Sequence, residues 1–242
     1  MMNAETSIAE LIGEGFSLEL LEPQLYAVTE RGGAQTNEYD TAFGGVYDLV
    51  ACSRLYNKLV WGYSIADYDT VCRAALDASQ GWMLDAGCGS LAFTAATYAA
   101  GVRRPVVLLD LSMNLLRRAR QRLSALCGGL PSNMAFVRGD VLRLPFRPTS
   151  FTTVLALNLL HTLSDPVPAV VELGRVLSGD GTLHCTTLVK TGRFADRYLA
   201  RLGRANLLVP RSIEEVLACF AQAGIHYEHS ISGSLATIHG RR

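Results

Sequence analysis

An apolar run, Met83-Leu84-Asp85-Ala86, leads directly into Gly87-Cys88-Gly89-Ser90, and a helix-forming segment follows. Glycine is wanted where a chain turns sharply and a ligand must come closer to the backbone than a Cβ allows. The next apolar run, Pro105-Val106-Val107-Leu108-Leu109, ends on Asp110. That carboxylate falls about 20 residues beyond the glycines, where it can accept both hydroxyls of an adenosine ribose. Few folds deliver a glycine turn and an acidic residue to the same sheet edge. The pattern is that of a nucleoside-binding half-fold.

The rest of the chain repeats this alternation. Strand 82–86 leads to a helix over Ser90–Ala100, which Gly101 closes. Strand 105–109 leads to a helix starting near Ser112, with Leu115, Leu116, Ala119, Leu123 and Leu126 inward. Strand Met134–Arg138 ends in Gly139-Asp140, and strand Phe151–Leu157 ends in Asn158. Asp165-Pro166 opens a helix through Leu177, since proline suits the first helical turn. Ser178-Gly179-Asp180-Gly181 reads as a turn before strand Thr182–Leu188. Ser212 with Glu215 makes a capping box, and Gly224 ends that helix. Strands His226–Ser232 and Leu235–His239 close the chain as a hairpin. These elements predict an α/β fold with a doubly wound, seven-stranded, mostly parallel sheet and one antiparallel edge.

Residues 1–80 are expected to form a helical segment and lid on the core of residues 81–242. Ser7–Ile12 opens with a Ser-x-x-Glu box, Arg31-Gly32-Gly33-Ala34 looks like a loop, and Leu49, Tyr56, Val60 and Tyr63 recur at helical spacing. A second helix carries Tyr68, Val71, Cys72, Ala75 and Leu76 on one face.

Composition narrows the function. The chain has 242 residues, 22 basic and 22 acidic, so it lacks the basic balance of an enzyme that grips phosphate backbones. A small-molecule partner is expected rather than nucleic acid. No run reaches the roughly 18–20 apolar residues that cross a bilayer, and the start Met1-Met2-Asn3-Ala4-Glu5 lacks signal-peptide character. Six scattered cysteines without a Cys-x-x-Cys pair predict reduced thiols and a cytoplasmic protein. No metal site is expected, because His226 and His229 lie on opposite faces of a strand. The sequence leaves room for a homodimer.

Two nucleoside chemistries compete at this turn. Gly87-x-Gly89-x-x-Ala92 also fits the relaxed dinucleotide pattern of nicotinamide enzymes. Asp85 argues against that reading, because a carboxylate two residues before the first glycine suits a ligand with an ammonium group. Asp140 adds a second acid along the same edge, in reach of an exocyclic amine. The chain also has no Tyr-x-x-x-Lys pair for dehydrogenase acid–base work.

With these residues in place, the chain resembles the class I S-adenosylmethionine-dependent methyltransferases. Leu84-Asp85-Ala86-Gly87-Cys88-Gly89 resembles their first motif and Asp110-Leu111-Ser112-Met113 the second, whose acid holds the ribose. Gly139-Asp140-Val141 with Leu144-Pro145-Phe146 is similar to the third, which lines the adenine. Asn158-Leu159-Leu160-His161 resembles the segment after the fourth strand, and Leu177–Gly181 the turn before the fifth. The resemblance covers roughly residues 43–242, and in pattern it is nearest to quinone-biosynthesis methyltransferases. It implies strand order 3-2-1-4-5-7-6 in a Rossmann-like sheet. It also implies S-adenosylmethionine as cofactor, held by Asp85, Gly87, Cys88, Gly89, Asp110, Leu111, Asp140, Val141 and Asn158. The family's usual third glycine is here Leu91, whose side chain is expected to crowd the methionine end of the ligand. A methyltransferase-like module without methyl transfer is the alternative.

Methyl transfer needs positioning and water exclusion more than it needs a base. His161, after the fourth strand, is the candidate catalytic residue, as a neutral imidazole able to take a proton near pH 7. Tyr47, Tyr56, Trp61 and Tyr63 form either an aromatic lid over a sulfonium or plain core. Cys88 reads as a packed apolar residue, and the run Arg117–Arg122 as a solvated helix face. Acceptor choice is assigned to the N-terminal helices and to residues 193–210.

Overall fold

A computed structural model describes residues 8–30 and 57–242. Its core strands are β3 (Met83–Ala86), β4 (Val106–Asp110), β5 (Met134–Arg138), β6 (Phe151–Leu157) and β7 (Leu177–Leu188), all parallel to one another. The antiparallel pair β8 (His226–Ser232) and β9 (Leu235–Arg241) closes one edge, with β9 against β7. With β1 (Phe16–Glu22) and β2 (Leu25–Glu30) at the other edge, the order across the sheet is β1-β2-β5-β4-β3-β6-β7-β9-β8. Numbered from β3, the last seven follow 3-2-1-4-5-7-6, as expected.

The first two strands correct the seven-stranded, helical-appendage expectation. β1 (Phe16–Glu22) and β2 (Leu25–Glu30) form a hairpin whose second strand pairs parallel with β5, making nine strands among the described residues. Phe16, Leu18 and Leu20 alternate with Ser17 and Glu19, a period-2 signal of a half-buried strand. Gln24, at φ +59°, forms the tight turn, and its Nε2 donates to the carbonyls of Pro131 and Met134 at 2.7 Å each. Glu22 accepts from Arg117 at 2.8 Å and from Arg120, and Arg143 Nη1 donates to Glu30 at 2.6 Å. The Arg117–Arg122 run is therefore not a merely solvated face. It ties the hairpin to the core.

Side-chain alternation along the strands builds two cores. Leu84, Ala86, Val107, Leu109, Ala135 and Val137 pack on one face with α4 (Val167–Val176) and α6 (Ile213–Gln222). Their neighbours Met83, Val106, Leu108, Met134 and Phe136 pack on the other with α1 (Ile65–Asp77), α2 (Ala95–Ala99) and α3 (Met113–Cys127). Adjacent strand residues point to opposite faces, so one apolar run serves both layers. Tyr68, Val71, Cys72 and Ala75 are the buried positions of α1, as the helical spacing predicts. Ser112 Oγ accepts from Leu115 N–H at 3.3 Å to start α3, and Gly128, at φ +69°, ends it. Ser212 and Glu215 form the expected capping box of α6.

Two elements differ in extent. α2 is only Ala95–Ala99 rather than Ser90–Ala100, because Leu91 takes φ +54° and cannot continue a helix. Residues Ser178–Gly181 are an out-of-register bulge inside β7 rather than a separate turn: Leu177 pairs with Phe151 and Thr182 with Thr153. The helix expected from Phe43 to Tyr63 lies mostly outside the described residues, and Asn57–Trp61 within it is a single π-helical turn.

Candidate functional site

The C-terminal ends of β3, β4, β5 and β6 converge around the glycine turn, the location ligands favour in open parallel sheets. Leu109 O accepts from both Gly87 N–H at 2.8 Å and Cys88 N–H at 2.9 Å. Asp110 completes the fastening: Oδ2 accepts from Gly89 N–H at 2.8 Å and Oδ1 from Ser112 N–H at 2.9 Å. Each carboxylate oxygen keeps a second lone pair for a hydroxyl donor. Burial raises the Asp110 pKa, while the amides of Ser112, Gly89 and Leu111 hold it down.

The turn itself is left-handed at Gly87 (φ +72°), Gly89 (φ +56°) and Leu91 (φ +54°). A Cβ on Gly87 would lie 2.8 Å from Leu159 Cδ1, whereas one on Gly89 would meet nothing within 4 Å. Gly87 is thus favoured by its left-handed backbone, where a Cβ would also push the Leu159 side chain aside, and Gly89 leaves an open approach to the backbone. Leu91 is 2% exposed and belongs to the core cluster of Leu108, Met113 and Leu116. Its side chain fills the protein interior. Arg122 fastens the same loop, donating to Ser90 O at 2.7 Å and Ser90 Oγ at 2.6 Å.

Asp85 lies on the central strand, 2% exposed. Tyr98 of α2 donates its hydroxyl to Oδ2 at 2.8 Å, and Oδ1 is buried without a hydrogen-bond partner among the described residues. Burial pushes this carboxyl up to about 7, with the Asp110 charge adding to the effect and the Tyr98 bond opposing it. A buried acceptor without a donor is costly, and a ligand ammonium would supply one. The thiol of Cys88 is driven well above its ordinary range by burial and the two nearby carboxylates, so it packs as an apolar group.

Asp140, after β5, is exposed and accepts from Leu142 N–H at 2.9 Å, while the adjacent Val141 is buried. Asn158, after β6, has φ +55°, a conformation asparagine tolerates better than most residues. Its Nδ2 donates to Tyr68 Oη at 2.6 Å, Tyr68 donates to Tyr63 Oη at 2.8 Å, and Tyr63 donates to Asn57 Oδ1 at 2.8 Å. Asn158 Oδ1, also buried, has no partner. Phe93 lies 4.8 Å from the Tyr68 ring, and the pair joins Trp61, Tyr63, Leu157 and Leu188 in an aromatic-rich cluster.

Trp61 and Tyr63 are 5% and 4% exposed, members of that cluster, which is the plain-core reading of the aromatic set. Tyr47 and Tyr56 lie outside the described residues. His161 is 3% exposed. Its Nδ1 accepts from Leu188 N–H at 3.3 Å and lies 3.2 Å from Thr187 Oγ1. Burial, with the Arg211 charge, pulls this imidazole down to about 4. Sequence reasoning missed Tyr98 and Arg122 as parts of this site, and it saw Tyr68 only as a core position. Each is a helix residue whose partner is distant in sequence, so spacing alone carries no signal for it.

Comparison with known proteins agrees with this geometry. Residues 84–185 match the family model described as a methyltransferase domain. An uncharacterised chloroplastic methyltransferase of Arabidopsis thaliana is 34% identical over 115 residues, covering 47% of this chain and 33% of that protein. Demethylmenaquinone methyltransferase of Staphylococcus epidermidis is 34% identical over 103 residues, covering 42% of this chain and 41% of that protein. The chain thus spans between a third and about two fifths of these relatives' length. A Haloferax volcanii methyltransferase, solved with the activator Trm112, has the same fold: TM-score 0.61 over 86% of this chain and 99% of that one, at 16% identity.

Proposed function

Because the chain carries a methyltransferase domain over residues 84–185, we propose that it moves a methyl group from S-adenosylmethionine to an O, N or C atom of a small, apolar molecule. The observation that carries the reading is the unpartnered Oδ1 of Asp85 beside a glycine turn that Asp110 fastens. A ligand with both an ammonium and a ribose answers both acids, and a nicotinamide dinucleotide answers only the second. When bound, S-adenosylmethionine supplies a methyl on a sulfonium, already an excellent leaving group.

The chain's own residues then position and shield. Asp85 takes the ammonium, Gly87, Cys88 and Gly89 let the ligand reach the backbone, and Asp110 with Leu111 receives the ribose. Asp140 and Val141 border the adenine, and Asn158 offers Oδ1 where cofactor and acceptor meet. Tyr68, Phe93 and Leu157 give the acceptor side an apolar, aromatic wall. His161 enters as a positioning residue rather than the base first expected. With Nδ1 occupied by the Leu188 amide, the neutral ring carries its proton on Nε2 and holds the β6–β7 edge together. The free thiols among the described residues, Cys72, Cys88, Cys127, Cys185 and Cys219, support a cytoplasmic setting. No described helix is long and apolar enough to cross a membrane.

The test is thermal unfolding with S-adenosylmethionine, S-adenosylhomocysteine, NAD and NADP in parallel. Ligand at 100 times its dissociation constant adds about 2.7 kcal/mol, or about 5–10 °C in Tm for a chain of this size. The two sulfur nucleosides alone are expected to give the rise, and Asp110→Ala is expected to abolish it, because charge-assisted ribose bonds go. A rise with NAD or NADP instead would overturn the reading.

A further inference from the structure

Residues 190–211 contain six basic side chains, Lys190, Arg193, Arg197, Arg201, Arg204 and Arg211, against the single acidic Asp196, in a chain of zero formal charge. The segment contains helix α5 (Ala195–Arg204), whose buried positions are Ala195 and Leu199. Arg193, just ahead of the helix, Arg197, Arg201 and Arg204 are all exposed. Within the helix, spacings of four and three residues put Arg197, Arg201 and Arg204 within an arc of about 60° on one face. None of the four has an ion-pair partner among the described residues. Asp196 is spent locally, accepting from Thr191 N–H at 3.0 Å and Gly192 N–H at 2.7 Å.

Exposed apolar side chains stand at both ends of this row. Phe194 is 82% exposed, with the Arg197 guanidinium 5.6 Å from its ring centroid, and Leu207 is 47% exposed beyond the far end. Phe194 is far more exposed than the other exposed large apolar side chains among the described residues, of which Leu126 follows at 56%. The inner side of α5 packs with Trp61, Tyr63 and Tyr68, so the arginine row forms the outer surface of the element that walls the candidate site.

We propose that this face docks the protein on an anionic lipid surface, with the arginines on the headgroups and Phe194 and Leu207 entering the interface, so that an apolar acceptor passes from the lipid into the site. Basic rows flanked by aromatic and aliphatic anchors are what an anionic interface binds, each arginine contributing about fivefold in partition. An acidic peptide would need a groove for its backbone, and this is the convex face of one helix. The delivery of an acceptor rests on the methyl-transfer reading; the docking itself does not.

The full chain is sedimented with phosphatidylcholine vesicles, with and without phosphatidylglycerol, at low salt and at about 0.5 M, where the Debye length falls to roughly 4 Å. Selective binding to the anionic vesicles, lost at high salt, is expected. Arg197→Glu with Arg201→Glu is expected to weaken it by at least about twentyfold. Phe194→Ser is expected to weaken it severalfold at unchanged salt dependence. Unaltered Tm and nucleoside-induced stabilisation in both variants show that folding and the cofactor site are intact. No vesicle binding, equal binding to neutral vesicles, or undiminished binding by the double variant would overturn the proposal. So would tighter, equally salt-sensitive binding to single-stranded RNA or polyglutamate, which would reassign the face. Failure of the methyl-transfer reading would show separately, as nucleosides that do not stabilise a protein still bound to vesicles.

Discussion

Leu91 combines a left-handed backbone with a buried side chain, and the two pull in opposite directions. A non-glycine residue at φ +54° costs on the order of 1 kcal/mol, while a buried leucine contributes about 2–5 kcal/mol against truncation. Leu91→Gly is therefore expected to destabilise the protein by about 1–4 kcal/mol in urea unfolding, with nucleoside affinity unchanged. A marked gain in affinity would mean that the side chain crowds the ligand after all. Asp85 carries a different prediction. Its carboxyl, held near 7 in the free protein by burial, must ionise to receive an ammonium. Binding below pH 7 should then release a proton, and affinity should rise by up to about tenfold per pH unit until pH 7. Calorimetry in two buffers of different ionisation heat reads the proton directly, and Asp85→Asn should bind weakly at every pH. Proton-independent binding by the native protein would remove the ammonium assignment.

The Asn158 carboxamide is oriented by an element far away in sequence. Helix α1 presents Tyr68 as acceptor for Nδ2, which turns Oδ1 to its unpartnered position. Tyr68→Phe keeps the ring and deletes the hydroxyl. Its expected cost is about 1–2 kcal/mol, read as a lower Tm, together with a fall in methyl-transfer rate as the carboxamide loses its orientation. Tyr63→Phe, one bond further from Asn158, should have the smaller effect on rate; equal effects would mean that the chain of hydroxyls serves stability alone. The N-terminal hairpin shows why elements were legible unevenly. The helices announced themselves through caps such as Ser112 and Ser212 and through inward positions such as Leu116, Ala119 and Leu123, although Leu126, also expected inward, is 56% exposed. β1 carried its own alternation in Phe16, Leu18 and Leu20, but the hairpin joins the sheet only through β2, which pairs with β5 more than 100 residues away. An edge strand is stabilised by pairing and by Glu22 reaching Arg117 and Arg120, and neither contact is visible at the hairpin itself.

At the scale of the whole molecule, buried titratable groups set the pH response of the unliganded protein. His161 and His184, both drawn down to about 4 chiefly by burial, are neutral when folded and protonated when unfolded between about pH 4 and 6.5. Stability from each is present above 6.5 and lost as pH falls. Asp85, raised to about 7, works oppositely: the folded state holds a proton that the unfolded chain has released, and stability falls as pH rises towards 7. Between pH 5 and 6 the two histidines outweigh Asp85 by one proton, and Asp110, also raised by burial, can only reduce that margin. Stability should therefore climb with a slope of at most about 1.4 kcal/mol per pH unit and level off near 6.5. Urea unfolding across that range checks the sign, and Asp85→Asn should steepen the rise. The sequence by itself determined the parallel α/β sheet, its strand order once the motifs were recognised, and the acids and glycines that gather at the candidate site. Those features reside in short-range patterns: strand period, caps, and a carboxylate a fixed distance from a turn. Tertiary structure alone decided which oxygens of Asp85 and Asn158 lack partners, which nitrogen of His161 is occupied, and how α3 arginines hold both hairpin and glycine loop. These depend on residues brought together from separate elements, where burial and hydrogen-bond geometry, rather than spacing, fix what a side chain can do.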